Sequence, residues 1–441
     1  MTVGCISLGC AKNLIDAELM LAKIKEAGIE IVSEYCDADV VVINTCGFLE
    51  DAKKEAIENI FEVAALKNEG RVKKIIVTGC LAQRYKDEIA DEIPEVDAFL
   101  GTGSYLNIVE AIKEVMNNKK YCCFDKRENH CIDGERLVTT PFYTAYIKIS
   151  EGCDNCCSYC AIPIIRGKFR SRKIESIVSE AEKLVKNGVK ELNIISQDTT
   201  KYGTDIYNKP MLVELLKELS KINNLEWIRV LYTYPERMSD ELIDEIANNP
   251  KIVKYIDMPI QHCNERILKL MNRQGSVEAL TSLINKMRSK IKCLVLRTTL
   301  ITGFPTETQE EFAQMMDFIN NIKFERLGVF CYSVEEGTLA AKMDGQIEND
   351  EKLRRQELLM LEQEKISTQI LENQIGKKEK VIIEGYDKYV KLYFGRTYAD
   401  APEVDGKAFF KSSKKHNIGD IVSITVTDTL EYDILGEFID E

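Results

Sequence analysis

The chain has 441 residues, 45% hydrophobic and 30% charged. That is a globular composition with too much length for one ordinary core, so two to four domains are expected. A formal net charge of −13 argues against a chain held to nucleic acid mainly by bulk electrostatics, while leaving room for a local basic patch. The chain has fifteen cysteines, an odd number, and its start, MTVGCISLGC, has neither a basic n-region nor a long apolar run. A secreted disulfide protein is therefore not expected. No stretch approaches 18 apolar residues, so neither a membrane span nor a membrane partner is expected. The expected compartment is a reducing cytoplasm, where clustered cysteines mean metal or redox chemistry.

The first hundred residues alternate between strand and helix patterns. VGCISL, ADVVVINT, VKKIIVTG and VDAFLGTG read as strands, separated by amphipathic helices such as NLIDAELMLAKIKEAG. Alternation of this kind predicts a parallel α/β sheet over residues 1–120. Cys10, Cys46 and Cys80 follow the first three strands directly. In a parallel sheet the carboxyl ends of all strands lie along one rim, where ligands bind. Each cysteine alone reads as a small buried hydrophobe; three in equivalent places predict a shared metal site.

Residues 121–141 are polar and carry Cys122, Cys123 and Cys131, read as structural cysteines in a linker or an edge hairpin. From 142 a second series begins: FYTAYIKIS, KELNIIS, WIRVLY, VKYIDMPI, KCLVLRTTLIT and RLGVFCYS, with helices between them. Six such strands predict a partial (β/α) barrel over 142–373, closed by the charged helix 350–373, with its chemistry on the loops after the strands. Residues 374–441 change to short strands without helices, which predicts a small all-β barrel of the sort that binds polymers.

The loop after the first barrel strand reads GCDNCCSYCAIPIIRGKFRSR (152–172), with four cysteines in eight residues. Zinc ribbons separate their C-x-x-C pairs by a dozen or more residues, and here the pairs touch, so zinc fits poorly. Without Cys156 the pattern becomes C-x-x-x-C-x-x-C: Cys153, Cys157 and Cys160. Three thiolates can each hold one iron of a 4Fe–4S cluster and leave the fourth iron open.

This spacing after a first barrel strand resembles the radical S-adenosylmethionine enzymes. The flanks GCDN-x-C-x-x-CAIP-x-x-RG-x-x-RSR resemble their methylthiotransferase branch. The resemblance implies S-adenosylmethionine chelated to the open iron and cleaved to a 5′-deoxyadenosyl radical. It also implies a second 4Fe–4S cluster on Cys10, Cys46 and Cys80 whose open iron holds an external sulfide, and a terminal TRAM domain. Cys156 is then a spacer facing away. Among relatives that modify either transfer RNA or a ribosomal protein, SLGCAKNLIDAE, ISQDTTKYG, LGVFCYS-x-EEGT and GRTYADAPEVDG (395–406) resemble the ribosomal branch. That branch methylthiolates the β-carbon of an aspartate on protein twelve of the small subunit, a basic protein, free or within the ribosome. Residues 376–441 carry 10 Lys/Arg and 13 Asp/Glu, a balance that suits a basic protein better than transfer RNA. Methylthiolation of an adenosine in transfer RNA is the alternative. A non-catalytic iron–sulfur carrier is disfavoured, since carriers complete each cluster with four cysteines. The expected partners are the ribosomal protein, an electron donor and an external sulfur source, with the chain itself a monomer.

Lesser candidates follow from position. The family places an aromatic against adenine at Tyr159. Ser196 and Gln197, with Asp198, end the second barrel strand and are read as contacts to the cofactor's methionine moiety; helix capping is the plainer reading. Gly303, in the Gly-Phe-Pro turn after the fifth strand, is read as a close backbone approach to adenine, against a simple tight turn. Arg166, Arg170 and Arg172 suit planar anions. His262 is assigned no acid–base role.

Overall fold

The structure, a computed structural model, describes residues 1–125 and 133–440. Three folded units follow one another. The first is a parallel sheet of β1 (Thr2–Ser7), β2 (Glu30–Ile31), β3 (Val40–Thr45), β4 (Lys74–Gly79), β5 (Ala98–Leu100) and β6 (Tyr121–Cys123), in the order β2-β1-β3-β4-β5-β6. β3 reads VVVINT and is buried throughout, as a strand covered on both faces must be. β2 and β6 add to the four strands read from sequence. Residues 121–123, expected to open a linker or a hairpin, instead pair in parallel with β5 at the sheet edge. The short polar run YCC carries no periodicity, and its partner strand decides it. Cys131 lies outside the described residues.

The second unit begins with β7 (Thr144–Lys148). A short antiparallel ribbon of β8 (Ser150–Glu151) and β9 (Arg170–Ser171) brackets the cysteine loop. Then come β10 (Glu191–Ile195), β11 (Trp227–Val230), β12 (Ile252–Asp257), β13 (Val295–Thr302) and β14 (Arg326–Cys331). All six long strands are parallel and lie in chain order from β7 to β14, an open partial barrel. Its helices cover the outside and share the largest apolar core. Helix Asn349–Glu372 packs along β14.

The third unit is a closed barrel of β15 (Lys378–Asp387), β16 (Leu392–Arg396), β17 (Ala408–Lys411), β18 (Ile421–Thr429) and β19 (Ile434–Phe438). It is docked by charge at the strand beginnings of the open barrel, the end opposite the cysteine loops. Arg396 Nη2 lies 2.6 Å from Glu191 Oε2, Arg326 Nη2 2.6 Å from Asp400 Oδ1, and the Tyr255 hydroxyl donates to Asp405 Oδ2 at 2.6 Å. Arg396, Asp400 and Asp405 all belong to the stretch 395–406, so much of that stretch is spent on docking.

Candidate active site

Cys10, Cys46 and Cys80 sit at the carboxyl ends of β1, β3 and β4, which are neighbours in the sheet. Cys10 caps helix Ala11–Glu26 and Cys80 opens helix Cys80–Tyr85. The chain turns toward Cys46 at Gly9, φ +86°, where a Cβ would lie 2.7 Å from the Cys46 Cβ. Only glycine fits there. Asn13 ties the rim together. Its Nδ2 donates to the Leu8 carbonyl at 2.8 Å and to the Thr45 carbonyl at 3.1 Å, while Oδ1 lies 3.7 Å from Cys80 Sγ.

Cys153, Cys157 and Cys160 lie in the loop between β8 and β9. Gly152, φ +77°, lets the chain leave the ribbon: a Cβ there would sit 2.1 Å from the Lys168 carbonyl oxygen. Asp198 fixes the loop from below, accepting from Asn155 Nδ2 and Arg237 Nη1, both at 2.8 Å. The Tyr234 hydroxyl contacts Cys157 Sγ at 3.4 Å. Cys156 is exposed and its backbone takes φ +50°. Its carbonyl accepts from Asn272 Nδ2 at 3.0 Å, and the residue still forms part of the cavity wall, so it does not simply face away.

Both trios open on one cavity of about 340 Å³ between the first and second units. A second hollow of about 220 Å³ continues from it past Tyr159, Gln261 and Thr299. A larger groove, about 630 Å³, lies beside Arg136, Arg172 and Glu180, with no cysteine among the described residues that line it. Among the described residues no three His, Cys, Asp or Glu side chains meet as ligands of a single ion. Adjacent strands are about 4.8 Å apart, and an iron–sulfur cluster takes one thiolate per iron. A set of three thiols from three adjacent strands therefore fits a multi-iron cluster, and so does the Cys153, Cys157, Cys160 loop. Burial pushes the Cys80 thiol up to about 12, against the pull of Arg166, and Cys153 up to about 11. Cys160 is raised still further by burial beside Cys157. The thiolate is the form that binds metal, so loading either site would release these protons.

A buried ionic network joins the two cysteine sets. Arg166 Nη1 lies 2.6 Å from Asp16 Oδ2 and 3.2 Å from Glu151 Oε2; Lys148 Nζ lies 2.5 Å from Asp16 Oδ1 and 2.8 Å from Glu151 Oε2. Arg166 Nη2 also donates to Asn13 Oδ1 at 2.9 Å and Cys80 Sγ at 3.3 Å. Arg166 thus reaches the site as expected, though as a strut between carboxylates. Arg172 does not: it pairs with Asp133 and Glu180 at 2.6 Å, away from the cysteines. Arg170 donates to the Lys168 carbonyl at 2.9 Å.

Tyr159 lines both hollows, with Arg273 Nη1 3.5 Å from its hydroxyl. Gln197 lines the cavity and donates to Glu151 Oε1 at 2.8 Å; its Oε1 is buried with no hydrogen-bond partner among the described residues. Ser196 lies behind it, 2.5 Å from Ser150 Oγ, and borders neither hollow. Gly303 is not at the cavity either. Its N–H donates to Glu307 Oε2 at 2.8 Å, and a Cβ would strike Lys352 at 2.3 Å, so the close approach it permits is to helix Asn349–Glu372. His262 is fully buried, its Nδ1 accepting from the Asn264 N–H at 2.9 Å, and burial lowers its pKa to about 3. It is a neutral structural group.

Sequence reasoning missed Lys12, Asn13 and Asp16 as site residues. All three are polar residues near the start of helix Ala11–Glu26 and all are buried there, but burial of a polar side chain is decided by packing, so the sequence carried no signal for them. Tyr232 and Tyr234 lie in the loop after β11 and Arg273 in the loop before helix Val277–Lys290, and none carried a signal in the sequence.

A Radical SAM superfamily model matches residues 147–319, a model described as Uncharacterized protein family UPF0004 matches 2–101, and a TRAM domain model matches 375–439. The chain is 50% identical over 437 residues to the ribosomal protein uS12 methylthiotransferase RimO of Thermoanaerobacter sp. (strain X514), covering 99% of each chain. It is 52% identical over 437 residues, again 99% of each, to that of Caldanaerobacter subterraneus subsp. tengcongensis. The radical S-adenosylmethionine methyltransferase TsrM from Kitasatospora setae shares the fold, with a TM-score of 0.56 at 13% identity over 74% of this chain and 72% of that one.

Proposed function

The chain belongs to the RimO family of ribosomal protein uS12 methylthiotransferases, and from that premise we infer that it places a methylthio group on the β-carbon of an aspartate of uS12. The observation that carries this reading is the single cavity of about 340 Å³ onto which both cysteine trios open. The family is a radical S-adenosylmethionine transferase family that works with 4Fe–4S clusters. Cys153, Cys157 and Cys160 would hold the cluster that binds S-adenosylmethionine, and Cys10, Cys46 and Cys80 the second. With S-adenosylmethionine the clusters supply a hydrogen-abstracting radical and a methylated sulfur.

The protein's own residues perform the positioning. Arg166 and Lys148, clamped by Asp16 and Glu151, hold the two rims at one fixed separation. Asp198 and Gly152 set the backbone path of the second loop. Tyr159 and Gln197 border the space left for the cofactor. The small barrel docks at the far end, so its face away from that contact is the one left for the substrate particle. An external sulfur source and electron donor complete the reaction. A ribosomal substrate supports a cytoplasmic location, and no helix among the described residues is long and apolar enough to cross a membrane.

Transfer RNA is the less favoured substrate, since the full-length relatives are uS12 enzymes. The test incubates reduced, cluster-reconstituted protein with a uS12 peptide containing the aspartate and, separately, with transfer RNA, followed by mass spectrometry. A methylthio gain on the peptide is expected. A modified transfer RNA beside an untouched peptide overturns the reading.

A further inference from the structure

The cavity wall contains three cations, Lys12, Arg166 and Arg273, and no carboxylate among the described residues. Two of the cations are already engaged. Arg166 is held by Asp16 and Glu151. Arg273 stacks 4.3 Å from the Tyr234 ring centroid and donates to the Pro259 carbonyl at 2.9 Å. Lys12 is different. It is 8% exposed, and among the described residues its ammonium has neither a hydrogen-bond partner nor an ion pair. Its ammonium lies over the face of Tyr232, 3.1 Å from the ring centroid, and the Cys10 thiol is the acidic group nearest in effect. A ring face attracts a cation but leaves its N–H donors unfilled. A buried charge without a hydrogen-bonded counter-ion is costly, and such a site is completed by an anion.

The platform beneath Lys12 is strained and held deliberately. Tyr232 has φ +60°, a region that bulky side chains rarely enter. Its N–H donates to Asp257 Oδ2 at 2.9 Å, and its carbonyl accepts from the Thr199 N–H at 3.1 Å. Asp257 is the carboxylate nearest in effect to Lys12, but it is committed to Arg297 at 3.0 Å. Strain fixed from both sides in this way marks a functional position.

We propose that Lys12, backed by Tyr232, binds the side-chain carboxylate of the residue to be modified. This rests on the reading that the substrate is an aspartate. Lys12 comes from the first unit, two residues after Cys10, and Tyr232 from the second. A carboxylate docked there lies where both trios face, so recognition of the acid and alignment of its β-carbon are one event. Asparagine, with the same shape and no charge, binds less well because it leaves the ammonium unneutralised.

The test measures binding of a uS12 peptide and its Asp→Asn counterpart to the cluster-loaded protein by fluorescence anisotropy, with methylthio transfer scored in parallel. Wild-type protein is expected to prefer the aspartate peptide by about 10- to 100-fold, the range for a hydrogen bond to a charged group. In K12Q that preference falls to near unity while asparagine binding is unchanged; K12R retains most of it. Equal affinity of the two peptides for wild type, or an unchanged preference in K12Q, overturns the proposal. So does a K12Q protein that loses iron, since Lys12 would then serve the cluster on Cys10. Failure of the parent reading is separate: wild-type protein would then transfer nothing to the aspartate peptide.

Discussion

Asp16 is the pivot of the buried network, and Asp16→Asn tests whether that network holds the two cysteine sets together. The substitution keeps the shape and removes one charge. It takes a carboxylate from Lys148 at 2.5 Å and from Arg166 at 2.6 Å, so that both cations lose one of their ion pairs. Side-chain exposure of all four groups is 0–2%, so water cannot compensate. Breaking a buried pair costs about 3–5 kcal/mol. At about 2–4 °C per kcal/mol for a domain-sized unit, the thermal transition followed by circular dichroism falls by roughly 10–15 °C. Because Arg166 also contacts Cys80 Sγ at 3.3 Å, iron per chain falls toward half, the second loop keeping its share. Tyr105→Phe is the control: it removes a neutral donor 3.2 Å from Asp16 Oδ2, a hydrogen bond to a charged group worth about 1.5–3 kcal/mol, and leaves the charge of the network unchanged. Melting of the Asp16 variant within about 2 °C of wild type, with full iron, would refute the network's role.

Three further outcomes are expected. Cys156→Ser keeps full iron content, whereas Cys157→Ser loses about half of it, since a cluster takes one thiolate per iron and Cys156 is outside the trio; iron and sulfide analysis of anaerobic protein decides this. Gly152→Ala puts a Cβ 2.1 Å from the Lys168 carbonyl oxygen at φ +77°, so cleavage of S-adenosylmethionine is abolished while the N-terminal set keeps its iron, as read by product chromatography. Glu191 is held down to about 2 from an ordinary 4.5, burial opposing and Arg396 and Arg229 outweighing it. A depressed carboxylate stabilises fully above the ordinary value and loses that contribution as pH falls from 4.5 toward 2. The drop of 2.5 units is on the order of 3 kcal/mol, so acid should release the C-terminal barrel, seen as new proteolytic sites between residues 373 and 378.

The division between what the chain announces and what folding adds follows the range of the interactions. Strand and helix identity was legible because periodicity is local: VVVINT and NLIDAELMLAKIKEAG declare themselves within one element. The six long strands of the open barrel were readable for the same reason, and so was the spacing of Cys153, Cys157 and Cys160. Even the rim position of Cys10, Cys46 and Cys80 follows from parallel-sheet geometry once the strands are read. β2 and β6 were not legible, because two or three residues become a strand only when a neighbour supplies hydrogen bonds. Gly303 misled because a left-handed turn shows a close approach without showing what approaches; here it is Lys352. That both cysteine sets share one cavity, that Arg166 is clamped by Asp16 from another unit, and that Lys12 rests on Tyr232 depend on how separate units dock. Docking is set by complementary surfaces more than a hundred residues apart, and no window of sequence contains both halves of such a contact.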